Sequence, residues 1–303
     1  MMHTLLLGIL TLITGVCSDY WGHTWITRGN DKIYALRSLD DSSSLMVYSG
    51  KEISASALIG EFKTPGRQSC HITLLDRQAI VSDYSSGTLT LFDLDAAGIP
   101  CTEARIIPFA TCSHIHSSWI SPDGTSVVVA DLGTSCIYRF QIAEGRLLEG
   151  GYETFQLPAG CGPRHCAFGR DKLYVSTELS DEVLVLSWPE MELLQRLIAN
   201  PVTPHGGSHI ALSADGRFVY MSCRLENDGI AVFSVGADGL LTLVGYSNTG
   251  SHPRHFSISA DGRTLAVACR DSNEIEYFKI NKKTGLLVKK SEESIEKPVF
   301  VDF

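Results

Sequence analysis

No two cysteines in this chain have the C-x-x-C spacing of a zinc ribbon or a thioredoxin-like motif, although nine cysteines are present. They fall singly at 17, 70, 101, 112, 136, 161, 166, 223 and 269, an odd and scattered set that fits reduced thiols in a cytosolic protein. Cys166, Cys223 and Cys269 lie in strand-like apolar runs, where a free thiol packs as a small filler. No basic stripe offsets the net charge of −9, which argues against nucleic acid and anionic membranes as partners. There is no low-complexity tract and no linker. The apolar N-terminal stretch MMHTLLLGILTLITGVCSDY has no Lys or Arg before it and is too short to span a bilayer. Valine is a poor residue before a processed Cys17, so residues 3–11 read as a β-strand and the protein as cytoplasmic. Export is the lesser alternative.

What the chain has is a repeat. Six times a histidine opens a short apolar run, at His23, His71, His116, His165, His209 and His255, with successive spacings of 48, 45, 49, 44 and 46 residues. A period near 46 built of short β-runs separated by turn signals is the signature of propeller blades. One blade alone has no closed core, so such a fold exists only as an array. Asp123-Gly124, Asp215-Gly216 and Asp261-Gly262 supply the tight turn after the first strand in repeats three, five and six. First strands are expected at about 24–28, 71–75, 117–121, 166–169, 209–213, 256–259 and 298–302. Less regular outer strands are expected at 147–155 and 240–247.

The chain ends in Lys297-PVFVDF, a first strand without its return. A strand over residues 3–11 would pair with it and complete a thin seventh blade from both chain ends, removing exposed sheet edges. The expectation is therefore an all-β, seven-bladed β-propeller that uses residues 1–303 as one domain.

Twelve to fifteen residues after each histidine the second run closes on a charge: Arg37, Asp83, Asp131, Glu178, Arg224 and Arg270. A strand that leaves one face of the disc and a strand that returns to it bring histidine and charge to the same mouth of the channel. A scaffolding role competes with a functional one here. Histidines at one register can hydrogen-bond neighbouring turns, and alternating charges would form blade-to-blade ion pairs. The charges do not alternate, however: acids fall on repeats two to four, and Arg224, Arg270 and Arg37 on five, six and one. Such a dipolar mouth suits an anionic ligand with acid/base chemistry opposite it. Pro163-Arg164-His165 and Pro253-Arg254-His255 add a guanidinium beside the ring histidine in two repeats, a pattern suited to carboxylate or phosphate. A competing reading puts Ca²⁺ or Mg²⁺ on Asp83, Asp131 and Glu178.

The stretches Ser113-HIHSSWISPDG, Gly162-PRHCAF, Gly207-SHIALSADGRFVYMSCR and Gly250-SHPRHFSISADGRTLAVACRDSNEIEYFKI resemble the lactonase-type seven-bladed propellers. That family includes propeller-type 6-phosphogluconolactonase and the fungal 3-carboxy-cis,cis-muconate lactonizing enzyme. The resemblance runs from about residue 65 to the end. It implies a metal-independent, cofactor-free site with His116, Arg164, Glu178 and Arg224 at the catalytic centre. His71 and Arg254 match further family positions, and Asp83-Tyr84 stands where Asn-Tyr is common. Substrate contacts are expected from His71, Asp131, His165, His209, Arg254, His255 and Arg270. The activity expected is hydrolysis of a small anionic lactone such as 6-phosphogluconolactone. The alternatives are a carboxymuconolactone-type enzyme and a propeller that only binds an anion or a protein.

Overall fold

Three copies of one turn show how the sequence builds a blade. In Ser121–Gly124, Ser213–Gly216 and Ser259–Gly262 the serine hydroxyl donates to the aspartate Oδ1 at 2.6, 2.8 and 2.7 Å. The glycine N–H then returns to the serine carbonyl. The glycines take φ of +69°, +70° and +65°, a conformation that favours glycine over residues with a Cβ. The chain therefore reverses sharply between the first and second strands of each blade, as the Asp-Gly pairs predict.

The computed structural model describes residues 15–18, 23–29, 31–39, 42–50, 53–200, 202 and 206–303. Six antiparallel sheets follow in order: residues 23–64, 69–108, 115–156, 163–198, 207–248 and 253–294. The expected first strands appear as His23–Gly29, Ser69–Leu75, Ile115–Ile120, Pro163–Phe168, Gly207–Leu212 and Pro253–Ile258. A seventh, two-stranded sheet pairs Gly15–Ser18 with Pro298–Asp302. The strand expected over residues 3–11 lies outside the described residues. Blade three departs from expectation on its outer side. Instead of one strand over 147–155, Arg146–Leu147 and Glu153–Gln156 each pair with Cys136–Ala143, and the segment between them, with Gly150 and Gly151, leaves the sheet.

The second strands of blades two to five, Gln78–Asp83, Ser126–Asp131, Lys172–Thr177 and Phe218–Cys223, are buried along their whole length, because a neighbouring blade covers each face. That is why they read as continuous apolar runs rather than alternating ones. Tyrosines in these strands tie blades together: Tyr34, Tyr174 and Tyr220 donate to the carbonyls of Gly98, Gly239 and Gly285 in the next blade. The strand Pro298–Asp302 contributes Val299, Phe300 and Val301, all buried. Phe300 stacks on His255 of blade six at 4.3 Å and meets Trp25 of blade one at 4.9 Å. Among the described residues no helix is long and apolar enough to cross a membrane.

Candidate active site

Each inner strand opens with an irregularity in its pairing to the second strand. One residue is skipped: Thr24, Cys70, His116, Arg164 and Arg254 in blades one, two, three, four and six, while in blade five the skip spans Ser208 and His209. A bulge of this kind leaves a residue outside the ladder and re-aims its side chain. Thr24, Cys70, His116, Arg164 and Arg254 all line one cavity of about 380 Å³ at one end of the central channel. Bonds between blades hold the bulges in place. Ser117 donates to the Arg164 carbonyl at 2.6 Å and Ser208 to the Arg254 carbonyl at 2.7 Å.

The charged centre of this cavity is Glu178 between two arginines. Arg164 Nε lies 2.8 Å and Arg224 Nη2 2.9 Å from the same carboxylate oxygen, Oε2. Burial would raise the Glu178 pKa, but Arg224 and Arg164 outweigh it and hold the carboxyl below its ordinary value. Arg224 is set by a glycine. Gly206 takes φ +121°, and a Cβ there would stand 2.2 Å from the Arg224 carbonyl oxygen. Its N–H donates to the Glu178 carbonyl, and its own carbonyl receives both Arg224 N–H and Arg224 Nε. Backbone and side chains of the pair are thus fixed through one residue.

His116 is buried, and its Nδ1 has no hydrogen-bond partner among the described residues. Burial, then Arg164, Arg254 and Arg224, depress its pKa well below the usual imidazole range, so it is neutral at pH 7. Arg164 spends Nε on Glu178 and Nη1 on His165 Nε2, leaving Nη2 without a described partner. The Arg254 guanidinium has no hydrogen bond or ion pair within the described residues, although it lines the same cavity. Three guanidinium groups thus face one carboxylate, an excess of positive charge in an acidic protein.

The remaining expected residues are not gathered here. His71, His209 and His255 line a second cavity of about 570 Å³ with Trp25, Trp119 and Phe300. His165 lies between the two, with Nδ1 2.8 Å from His209 Nδ1. The cause is register. His71, His165 and His255 follow the bulged position by one residue, whereas His116 occupies it, and a one-residue step in a strand turns the side chain over. Burial lowers the pKa of His71 and His255 to about 3.

The aspartates also depart from expectation. Asp83 is enclosed and accepts from Ser69, Thr88 and Thr90. Asp131 caps the 131–134 turn, accepting from the N–H groups of His114 and Gly133 and from the hydroxyls of Thr134 and Tyr138. Their lone pairs are occupied, and Asp83, Asp131 and Glu178 do not form a metal-sized cluster among the described residues. Arg270 bonds Asp271 at 2.7 Å and does not line the cavity; nor do Arg37 and His23.

Residues that sequence reasoning passed over complete the wall: Thr24, Ser38, Leu39, Gln68, Ser69, Cys70 and Tyr84. Thr24 and Cys70 share the bulged register of His116, Arg164 and Arg254, which only the strand pairing defines. Cys70 is no nucleophile here, because burial pushes its thiol up to about 12.

The sequence model described as "Lactonase, 7-bladed beta-propeller" matches residues 14–303. This chain belongs to the seven-bladed β-propeller lactonase family. Among its relatives, the 6-phosphogluconolactonase of Bacillus subtilis is 29% identical over 299 residues, covering 91% of this chain and 85% of the relative. That of Formosa agariphila is 31% identical, covering 76% and 72%. A crystal structure from Bacteroides fragilis, titled with a proposed 6-phosphogluconolactonase activity, superposes with a TM-score of 0.85 at 30% identity, over 92% of this chain and 86% of the other. The periplasmic gluconolactonase of Pseudomonas aeruginosa, at 22% identity, shares the fold with a TM-score of 0.82, over 92% and 87%.

Proposed function

We propose that this protein hydrolyses a phosphorylated sugar lactone of the 6-phosphogluconolactone type at the Glu178 cavity. The observation that carries the reading is the cluster of Arg164, Arg224 and Arg254 around one carboxylate and one neutral imidazole, in a chain of this family. Lactone opening needs an activated water, a cation for the developing oxyanion and a proton for the leaving alkoxide. Arg164 Nη2 is the donor for the carbonyl oxygen. Arg254 takes the anionic tail as a charge-assisted pair. Arg224 holds Glu178 in place. His116 serves as general base, with Glu178 as the competing candidate.

The low pKa of His116 fits that role once substrate is bound. A phosphate on the arginines cancels part of the field that depresses the imidazole, so the ligand itself raises the basicity of the group that must take a proton from water. The asymmetry is useful, since the site is weakly basic when empty. The reaction is proposed to need no metal, and the enzyme to reside in the cytoplasm, on the evidence of its scattered thiols.

The test is acid release from a panel of lactones, with and without chelator. Turnover of 6-phosphogluconolactone that EDTA leaves unchanged supports the proposal. Arg164→Ala should lower kcat by about 10²–10³, the range for a lost oxyanion partner. Binding of the sugar phosphate with no lactone opened would make the protein a binding module instead.

A further inference from the structure

Arg224 presents Nη2 to Glu178 while its other two nitrogens are engaged elsewhere. Nε donates to the Gly206 carbonyl at 3.1 Å, and Nη1 lies 3.2 Å from Nε2 of His252. His252 belongs to none of the histidine repeats. It precedes the inner strand of blade six with φ +60°, a left-handed backbone that a residue with a Cβ adopts only when its surroundings hold it there. They do so from both sides: its N–H donates to Asp228 Oδ2 at 3.1 Å, and its carbonyl accepts from Arg270 N–H at 3.1 Å.

The tautomer of this ring follows from its partners. A guanidinium only donates, so Nε2 offers Arg224 a lone pair and the ring proton sits on Nδ1. Nδ1 then carries the proton and faces Asp271 Oδ2, 3.3 Å away. Arg270 Nη2, 3.4 Å from Nδ1, finds its acceptor in Asp271 Oδ2 at the same distance as the ring does. The order is Asp271, His252, Arg224, Glu178: a chain of polar contacts running from the surface to Glu178.

We propose that His252, oriented by Asp271, is a positioning residue that fixes the Arg224 guanidinium on Glu178. The proposal rests on the lactonase reading, since it assigns His252 a role through Glu178. The charged groups facing the ring are Arg224, Arg254, Arg270, Asp228 and Asp271. Burial and the arginines keep it neutral, lowering its pKa to about 3 against the opposing pull of Asp271. Nε2 thus stays an acceptor throughout the working pH range.

Two measurements test this. Long-range proton–nitrogen NMR of the intact protein should show His252 protonated on Nδ1 and bare on Nε2 at pH 7, and Asp271→Ala should disturb that state. A proton on Nε2 in the wild type would overturn the proposal, with no assay involved. In the lactonase assay, His252→Phe should lower kcat by about 10- to 100-fold, the scale of a displaced active-site group. It should also move the acid limb of the pH profile upward, because Glu178 and His116 lose the fixed charge of Arg224. His252→Gln, whose carbonyl oxygen can still accept from Arg224, should recover most of kcat. A lower melting temperature with kcat and acid limb unchanged would reduce His252 to a structural residue and overturn the proposal. If the wild type opens no lactone, the functional reading fails, and the tautomer still decides the case for His252.

Discussion

Arg254 and His116 stand at the same repeat position in blades six and three, yet the chemistry asks different things of them. The Arg254 guanidinium has no hydrogen bond or ion pair among the described residues to lose, so its removal strips the cavity of a charge without unpicking a network. Arg254→Ala should raise KM by about 10- to 100-fold, the cost of a charge-assisted bond to an anion, with a smaller change in kcat. His116→Ala should lower kcat by about 10²–10⁴, as for a lost general base. The pH profile separates substrate-free from substrate-bound states. In the free enzyme burial and the arginines hold His116 well below its ordinary pKa, so the acid limb of kcat/KM should lie below the usual imidazole range. The limb in kcat, measured with the arginines neutralised by substrate, should lie at higher pH. Coincident limbs would contradict a base whose strength depends on the ligand.

At the level of strands and turns, the blades were legible and the aim of the side chains was not. Apolar runs, Asp-Gly turns and a period near 46 follow from local chemistry, and the six first strands appear within two or three residues of their expected positions. The bulge is different. Nothing in Ile115-His116-Ser117 marks the second residue as the skipped one; that depends on pairing with Asp131 and Ala130 fifteen residues on. Aligning on histidine therefore merged two registers, and grouped His71, His209 and His255 with Glu178 although they line the second cavity. Charge alone misled in the same way at Asp83 and Asp131, whose contacts with hydroxyls and backbone N–H groups are assembled only by the folded turn.

Asp83 carries a prediction of its own. Burial raises its pKa to about 6, against three hydroxyl donors that lower it. The folded protein thus binds a proton that the unfolded chain has already released, so stability falls as pH climbs from about 4 to about 6 and is level above. The difference amounts to as much as about 3 kcal/mol. Asp83→Asn should remove that slope and raise stability at pH 8, while changing little at pH 4.5. Urea unfolding at the two pH values checks it; a slope as steep in the variant as in the wild type would place the effect elsewhere.

For the molecule as a whole, the two-stranded sheet of Gly15–Ser18 and Pro298–Asp302 stands between blades six and one, with Phe300 touching both. Phe300→Ala should destabilise the protein by about 3–5 kcal/mol, the range for a buried aromatic, although the residue lies far from Glu178 in the chain. Thermal unfolding of the variant measures this, and kcat at a temperature where it stays folded should be close to that of the wild type.

That same sheet sets an order of events in time. Every other strand pairing among the described residues joins neighbours within one blade, whereas this one joins segments nearly a whole chain apart. Local hairpins close in microseconds, while a contact of such separation must wait for the search of a long loop. The blades can therefore collapse early as a chain of sheets, and the channel with its arginines takes shape only when the distant strands meet. Run backwards, the same logic makes this pairing the first to open, and pulsed hydrogen exchange should find amides of the Pro298–Asp302 strand among the last to gain protection during refolding.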